Sequence, residues 1–251
     1  MEPAEYQRLY ELEETLWWFR GMDAITTALI DRYLEPGSKD PATGELQILD
    51  AGCGTGGTLR RFSKIGRCCG VDYSVEALRF ARQRQSAFLT RASIERLPFA
   101  DGRFDLVTSF DVIYHLDVAD DGRALSEMAR VVADRGIVVM RVPAFDFLRS
   151  QHDVAVHTRQ RYGRRELASK LNAAGLNPIH LSFANTFLFP LALAKRLAER
   201  ILPGSSEESE VQPMSPGLNR LLTSVLSAEA YLVARFGLPF GLSLYAVAKK
   251  R

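Results

Sequence analysis

The sequence predicts an α/β fold in which helices cover both faces of a mostly parallel sheet. Apolar runs of strand length alternate with amphipathic helical segments between residues 46 and 142. Near-continuous apolar strands are typical of parallel sheets that are buried on both faces. The turn after the first strand, GCGTGG at 52–57, is dense in glycine. Such a turn brings a ligand to the carboxyl ends of the strands.

The composition is that of a soluble globular enzyme. The chain has 251 residues, of which 47% are hydrophobic and 25% are charged, so a sizeable core can form. A formal net charge of +2 does not indicate the concentrated basic face that nucleic-acid binding requires. We therefore expect no nucleic-acid partner.

Cysteine usage and the apolar runs indicate a cytoplasmic protein. Cys53, Cys68 and Cys69 form no C-x-x-C motif and no disulfide framework, which is typical of reduced thiols. The acidic N-terminal stretch lacks the features of a signal peptide, and no apolar run approaches the ~20 residues of a membrane span. Contact with a membrane surface is a less favoured alternative.

The sequence does not predict a metal site. No Cys/His set has zinc spacing and no acidic cluster suits magnesium, so we expect no metal.

Two helices are expected before the sheet. Apolar residues between Tyr6 and Phe19 recur at helical spacing, and a second helical segment runs near Met22 to Tyr33. The stretch EPGSKDPATGE at 35–45 combines proline, glycine and polar residues. It is therefore predicted to be a loop that leads into the core.

Strands and helices then alternate. The apolar runs LQILDA, GRCCGVDY, AFLTRA, FDLVTSF and RGIVVMRV predict strands at 46–51, 66–73, 87–92, 104–110 and 135–142. Apolar residues at helical spacing predict the intervening helices near 57–64, after a cap at Ser74, and near 120–133.

The pattern changes after Pro143. GRRELASKLNAAG predicts a helix that ends at Gly175. LNPIHLSFAN and GLSLYAVAKK predict the last two strands, at 176–185 and 241–250. Two amphipathic helices, near 190–202 and 218–236, form an insertion between these strands, joined by a polar segment at 203–217 that we expect to be mobile.

The glycine turn is expected to hold a nucleoside ligand. Asp72 ends the second strand about 20 residues further on, where a carboxylate can hold ribose hydroxyls. Gly52, Gly54 and Gly57 also satisfy the G-x-G-x-x-G spacing, so an NAD(P)-dependent oxidoreductase is the rival interpretation. Asp50 favours S-adenosylmethionine, because a carboxylate repels a pyrophosphate but attracts an ammonium and a sulfonium. A turn-stabilising acceptor is the alternative role of Asp50.

Three stretches together resemble the class I S-adenosylmethionine-dependent methyltransferases, of the kind that act on small molecules such as ubiquinone precursors. They are D-x-G-x-G-x-G at 50–56, VDYS at 71–74 and ASIERLPFADGRFDLVTSFDVIYHL at 92–116. The resemblance covers residues 46–142 and implies a Rossmann-like, doubly wound sheet of seven strands with the last strand antiparallel. It also implies in-line methyl transfer from S-adenosylmethionine to a small-molecule or lipid-like acceptor. A non-catalytic partner subunit that keeps the same fold is a further alternative.

The resemblance implies one domain over residues 1–251, with each part in a distinct role. These parts are an N-terminal helical cover (1–45), a cofactor-binding core (46–142), an acceptor-side segment (143–185), a helical insertion (186–240) and the last strand (241–251). The family pattern places the cofactor against Asp50, Gly52, Cys53, Gly54, Gly56, Asp72, Tyr73, Ser93, Ile94, Phe110 and Asp111.

The stretch TLWWFRG at 15–21 supplies two further candidates for the cofactor site. Trp18 could close over the cofactor, and Arg20 could pair with its carboxylate in a bidentate manner. Packing of the adjacent tryptophans within the N-terminal helix is the alternative.

Candidate residues for the chemistry follow the fourth and fifth strands. Methyl transfer from a sulfonium requires that the acceptor atom is aligned with the methyl carbon and that water is excluded. A base is needed only when the acceptor must lose a proton. His115 and His157 are the candidate bases, because histidine has a pKa near neutrality. A structural role is the alternative for each of them. Acceptor-side candidates are His152, Asp153, Tyr162 and Glu229, the last of which either faces the acceptor pocket or reaches solvent or an arginine.

Overall fold

A seven-stranded sheet forms the centre of the computed structural model, which describes residues 3–35, 44–84, 87–149, 153, 157–194 and 214–251. The strand order is β3-β2-β1-β4-β5-β7-β6. The strands are β1 (Leu46–Ala51), β2 (Gly66–Asp72), β3 (Phe88–Arg91), β4 (Phe104–Phe110), β5 (Val132–Pro143), β6 (Leu176–Ala184) and β7 (Ser243–Lys250).

The direction of the strands confirms the predicted fold class. Strands β1 to β5 pair in parallel, whereas β7 runs antiparallel to both β5 and β6. The order reverses at β1, which pairs with β2 on one side and with β4 on the other. Open α/β sheets bind ligands at such a switch point, beyond the carboxyl ends of the strands.

Helices cover both faces of this sheet, as the sequence predicts. They are α1 (Pro3–Leu12), α2 (Trp17–Tyr33), α3 (Gly57–Phe62), α4 (Val75–Gln83), α5 (Asp121–Val131), α6 (Arg164–Ala173) and α7 (Pro216–Arg235). One apolar core lies under α5 and α6, and the other lies under α2, α3, α4 and α7. Within the part of the chain that the structure describes, no helix is both long and apolar enough to cross a membrane.

Two elements begin earlier than the apolar pattern indicates. Helix α2 starts at Trp17, whose backbone N–H donates to Oδ1 of Asn219 at 2.7 Å. This partner lies far away in the chain, so local spacing does not reveal it. Strand β5 starts at Val132, which pairs with Phe104 across a register irregularity.

The helical insertion before β7 is present as predicted. It includes a helical stretch at 189–194 and helix α7. The predicted end of the first inserted helix, and most of the joining segment at 203–217, lie outside the described residues. Helix α7 crosses α2 at Gly21, where an added Cβ would come within 2.5 Å of the Leu226 side chain. The insertion is thereby packed closely against the N-terminal helices.

Candidate functional site

A cavity of about 1140 Å³ runs along the carboxyl ends of the strands. Its floor is built from residues at the ends of β1, β2, β4 and β5 and at the start of β7. Its roof comes from α1, α2 and the helical insertion. The switch point of the sheet therefore opens into this cavity, as expected for an α/β ligand site.

The glycine loop adopts a conformation that other residues would strain. Gly52 and Gly54 have φ angles of 90° and 51°, in the left-handed region that glycine enters freely. A Cβ on Gly52 would come within 2.3 Å of the Val112 side chain, whereas the space beside Gly54 is open for 4 Å. Both glycines line the cavity, so a ligand can approach the backbone at Gly54.

Asp50 lies in the floor of the cavity and is almost fully buried. Its Oδ1 accepts a hydrogen bond of 2.8 Å from Thr108 Oγ1 on the neighbouring strand β4. Burial raises the pKa of Asp50 to about 7, because the charged form is poorly solvated there. A cationic ligand group above Asp50 would favour the carboxylate.

Asp72 connects the glycine loop to the following helix. One carboxylate oxygen accepts from the Gly54 N–H and the other from the Ser74 N–H, both at 2.8 Å. Burial is the largest cause of its raised pKa. Because each carboxylate oxygen has more than one acceptor site, Asp72 retains capacity for a pair of hydroxyl donors at the cavity edge.

The structure brings most of the predicted site residues together. The cavity lining includes Trp18, Asp50, Gly52, Cys53, Gly54, Asp72, Tyr73, Ser93, Ile94, Phe110, Asp111, His115 and Asp153. Ser93 accepts from the Glu95 N–H at 3.2 Å, which fixes the turn next to Ile94. Tyr73 is largely exposed at the rim.

Several predicted site residues lie elsewhere. Arg20, the candidate partner of the cofactor carboxylate, is exposed on α2 and is not among the residues that line the cavity. Gly56 is the N-cap of α3, where a Cβ would contact Ala81 at 3.0 Å. Gly56 therefore allows α3 to pack closely on α4, and it is not among the residues that line the cavity. His152 lies outside the described residues.

His157 and Tyr162 also stand apart from the cavity lining. His157 has a φ of 55°, and its carbonyl oxygen accepts from the Leu116 N–H at 3.0 Å. Tyr162 is fully buried and donates to Asp121 Oδ2 at 2.7 Å. Tyr162 therefore anchors the segment after β5, and the backbone of His157 joins this segment to the loop after β4.

Glu229 differs from both expectations for it. Its side chain is fully buried within α7 and does not line the cavity. It accepts from the backbone N–H groups of Thr186 and Phe187, at 3.0 and 2.6 Å. The carboxylate therefore fixes the turn after β6, and it reaches neither solvent nor any arginine within the part of the chain that the structure describes.

Arg141 is a site residue that the sequence analysis missed. It lies near the end of β5, and its Nε donates to Asp111 Oδ2 at 2.8 Å. Nη2 donates to the same oxygen, and Nη1 donates to the Tyr245 hydroxyl at 3.1 Å. A charged residue inside the apolar run RGIVVMRV was the signal available for finding it.

Glu13 is the second missed residue, and it fixes the N-terminal helices to the glycine loop. The buried carboxylate accepts from Arg84 Nη2 at 2.6 Å and from the Thr55 hydroxyl. Arg84 Nε in turn donates to the Thr55 carbonyl at 2.9 Å. The cover over the cavity is therefore tied to the loop that forms its floor.

The far half of the cavity combines apolar walls with a few polar groups. Asp153 and Arg161 form a buried ion pair with N···O distances of 2.8 and 2.9 Å. His115 contacts the Asp111 carbonyl through Nε2 at 2.9 Å and stacks on Tyr114. The apolar lining on this side includes Leu188, Leu191, Ala192, Met214, Leu222 and Leu242. Within the described ranges, no group of three or more His, Cys, Asp or Glu side chains is arranged to hold a metal ion.

Comparison with known proteins gives a family match over the part of the chain that contains the glycine loop. Residues 49–140 match the family described as "Methyltransferase domain". Over these residues the chain is similar to that family, and its seven-stranded sheet has the Rossmann-like fold of the class I S-adenosylmethionine-dependent methyltransferases.

Individual relatives differ in what their names say they act on. The chain is 33% identical over 159 residues to a malonyl-[acyl-carrier protein] O-methyltransferase from Pseudescherichia vulneris, covering 59% of this chain and 61% of the relative. It is 31% identical over 135 residues to "Probable tRNA methyltransferase 9B" from Mus musculus, covering 53% of this chain and 29% of the relative. The first three curated relatives are matched over 46%, 61% and 39% of their own length.

Among solved structures, one similar chain comes from the complex between the Haloferax volcanii Trm112 methyltransferase activator and a methyltransferase. The TM-score is 0.62 at 22% identity, covering 98% of this chain and 94% of that one. At this level of identity the likeness concerns the fold.

Proposed function

We propose that this chain is an S-adenosylmethionine-dependent methyltransferase that methylates a small, largely apolar acceptor. The observation that carries the proposal is one continuous cavity with two unlike halves. One half has the buried carboxylates Asp50 and Asp72 beside an open backbone at Gly54. The other half is lined mainly by leucines from the helical insertion and the β6–β7 edge.

The residues of the first half fit the cofactor that the family implies. The left-handed backbone and open space at Gly54 form a cradle that a Cβ would fill. Asp50 would hold the ammonium group, and Asp72 would hold the ribose hydroxyls. Bound S-adenosylmethionine supplies a methyl group on a positively charged sulfur that is a good leaving group. Tyr73, Ser93 and the Ile94 backbone would line the adenine.

The remaining task of the protein is to align the acceptor and exclude water. Trp18 and the N-terminal helices cover the cofactor half, and Leu188 and Leu222 cover the acceptor half. Where the acceptor must lose a proton, His115 is the proposed base, since it lines the cavity. If the neutral ring donates from Nε2 to the Asp111 carbonyl, the lone pair that would accept the proton is on Nδ1.

A dinucleotide-dependent oxidoreductase is less consistent with the site. A pyrophosphate on the glycine loop would lie close to Asp50, which lines the same part of the cavity, and would be repelled by it. Isothermal titration calorimetry with S-adenosylhomocysteine and with NAD⁺ tests this directly. We expect S-adenosylhomocysteine to bind and NAD⁺ not to bind. Binding of NAD⁺ alone would contradict the proposal.

The class of acceptor is proposed from the lining of the cavity. The relatives do not decide it, because their names refer to acceptors as different as malonyl-[acyl-carrier protein] and tRNA. An apolar lining suits a small apolar molecule better than a polyanion, and the net charge of +2 does not favour a polyanion. Transfer of labelled methyl groups to a small-molecule extract and to bulk tRNA separates these acceptors. Label in the organic-soluble fraction is expected, and label in tRNA alone would exclude the proposed acceptor class.

A non-catalytic partner subunit is the second alternative, since one structural neighbour comes from a complex with a methyltransferase activator. The open loop at Gly54 and the carboxylates of Asp50 and Asp72 favour a chain that binds cofactor itself. Methyl transfer by the isolated chain is the discriminating measurement. Activity that appears only when another methyltransferase is added would favour the partner role.

A further inference from the structure

Asn185 lies in the wall of the cavity and has an unsatisfied polar atom. It directly follows β6 and is 2% exposed. Its Oδ1 is buried without a hydrogen-bond partner among the residues that the structure describes. Buried carbonyl oxygens are nearly always paired. Because Asn185 is among the residues that line the cavity, a bound ligand is a candidate partner for this oxygen.

The backbone around Asn185 is held in a fixed conformation. Asn185 has a φ of 59°, in the left-handed region that asparagine tolerates better than most residues. Glu229 accepts from the next two backbone N–H groups, those of Thr186 and Phe187. The Thr186 hydroxyl donates to the Phe240 carbonyl at 2.5 Å. These contacts determine where the Asn185 side chain is placed.

The location of Asn185 assigns it to the acceptor half of the cavity. Asp72 ends β2, whereas β6 is the edge strand at the opposite side of the sheet. The lining next to Asn185 in the chain or across the sheet includes the apolar Leu188 and Leu242 and the polar Ser243, which pairs with Ala184. A few polar groups in a mainly apolar wall fix the orientation of an otherwise apolar ligand.

We propose that Asn185 binds the methyl acceptor, with its Oδ1 accepting a hydrogen bond from an O–H or N–H group on an apolar body. Glu229 is the positioning residue that holds the Asn185 turn. The inference rests on the proposed function, because it requires that the leucine-lined half of the cavity receives the acceptor. It explains both the unpaired oxygen at Asn185 and the buried carboxylate on the apolar side of α7.

A matched pair of probes tests the hydrogen bond. 4-Octylphenol carries an O–H on an apolar body, and 4-octylanisole is its methyl ether without that donor. Calorimetry at saturating S-adenosylhomocysteine should show about tenfold tighter binding of the phenol to the wild-type chain, the usual effect of one net hydrogen bond. Equal affinities of the two probes, or no binding of the phenol, would overturn the inference.

Two substitutions locate the acceptor atom. Asn185→Gly keeps the left-handed backbone without strain and should abolish the preference for the phenol. Asn185→Asp keeps an acceptor oxygen and should retain the preference. A preference that persists in Asn185→Gly, or one that is lost in Asn185→Asp, would contradict the assignment of Oδ1.

Glu229→Gln tests the positioning role through the same ratio of affinities. The preference for the phenol should fall several-fold while S-adenosylhomocysteine binds as in the wild type. Ser224→Ala, on the exposed side of the same helix, is the control. An unchanged ratio in Glu229→Gln would remove the positioning role. Failure of the wild-type chain to bind S-adenosylhomocysteine would overturn the proposed function itself, which separates that outcome from a failure at Asn185.

Discussion

The guanidinium of Arg141 lies 4.6 Å from the centre of a Trp18 ring. Arg141 belongs to the floor of the cavity, and Trp18 belongs to the first turn of the helix that covers it. A cation stacked on an indole contributes roughly 0.5–2 kcal/mol, more when water is excluded. Asp111 neutralises the same guanidinium, so one arginine joins the cover to the loop after β4.

Replacing Arg141 should be costly because Asp111 would lose its partner. We expect Arg141→Met to lower the free energy of unfolding by about 3–5 kcal/mol, the usual effect of breaking a buried ion pair. Urea-induced unfolding followed by circular dichroism measures it. The double variant Arg141→Met/Asp111→Asn should be more stable than Arg141→Met alone. A double variant as unstable as the sum of the single variants would show that the two residues are not coupled.

Asp72→Ala should weaken the binding of S-adenosylhomocysteine by about 1.5–3 kcal/mol, the range for a charged hydrogen-bond partner. Calorimetry provides the dissociation constant, and a thermal melt shows whether the loss of the Gly54 and Ser74 contacts unfolds the loop. Glu76→Ala, on the solvent-exposed first turn of α4, is the matched control. An unchanged dissociation constant in folded Asp72→Ala would place Asp72 outside the site.

Asp50 should make stability depend on pH in a defined direction. Its pKa is raised from 3.8 to about 7 in the folded chain, so the folded state holds a proton that the unfolded state releases. The part of the free energy of unfolding that comes from this bound proton is therefore present in full below pH 4 and is lost as the pH rises to 7. Asp50→Asn should match the wild type at pH 4 and be more stable at pH 8, by at most about 4 kcal/mol.

The same substitution should act in the opposite direction on binding. Asp50→Asn removes the charge that attracts the ammonium group, so affinity for S-adenosylhomocysteine should fall at pH 8 although stability rises. In the wild type at pH 6.5, binding should release a proton, because the ammonium lowers the pKa of Asp50. Calorimetry in buffers of different ionisation enthalpy detects this release. Uptake of a proton, or no change, would argue against contact with the ammonium.

Glu229→Gln should lower the free energy of unfolding by about 1–3 kcal/mol, because glutamine offers one acceptor oxygen to two backbone donors. Its NH₂ group would face the N–H of Thr186 or Phe187. Chemical denaturation compared with Ser224→Ala measures the difference. Equal stability of the two variants would show that the carboxylate does not hold the turn.

The parts of the molecule that the sequence predicted depend on local spacing. Apolar runs mark the strands because a parallel strand is buried along its length, and Asp72 is placed by its distance from the glycine turn. The fold class and the helical insertion were therefore predictable from the pattern, whereas the antiparallel last strand was implied by the resemblance to the methyltransferase family.

What the sequence did not reveal depends on partners far apart in the chain. Glu13 meets Arg84 across 71 positions, and Tyr162 meets Asp121 across 41. No spacing rule indicates such pairs. Arg20 was the expected cationic candidate beside the tryptophans, but the arginine that stacks on Trp18 is Arg141 from another element. Histidine spacing likewise could not distinguish His115, which lines the cavity, from His157, which does not.

The hydrogen bond from Trp17 to Asn219 spans 202 positions, and it affects how the protein is made. During synthesis, residue 17 leaves the ribosome long before residue 219. At about 5–20 residues per second the interval is roughly 10–40 s. Throughout that time α2 lacks the helix against which Gly21 packs, and Met22, Ile25 and Leu29 lack part of their final cover. The apolar face of α2 therefore stays partly uncovered in the nascent chain until α7 is made, and the cavity beneath these helices can close only late in folding.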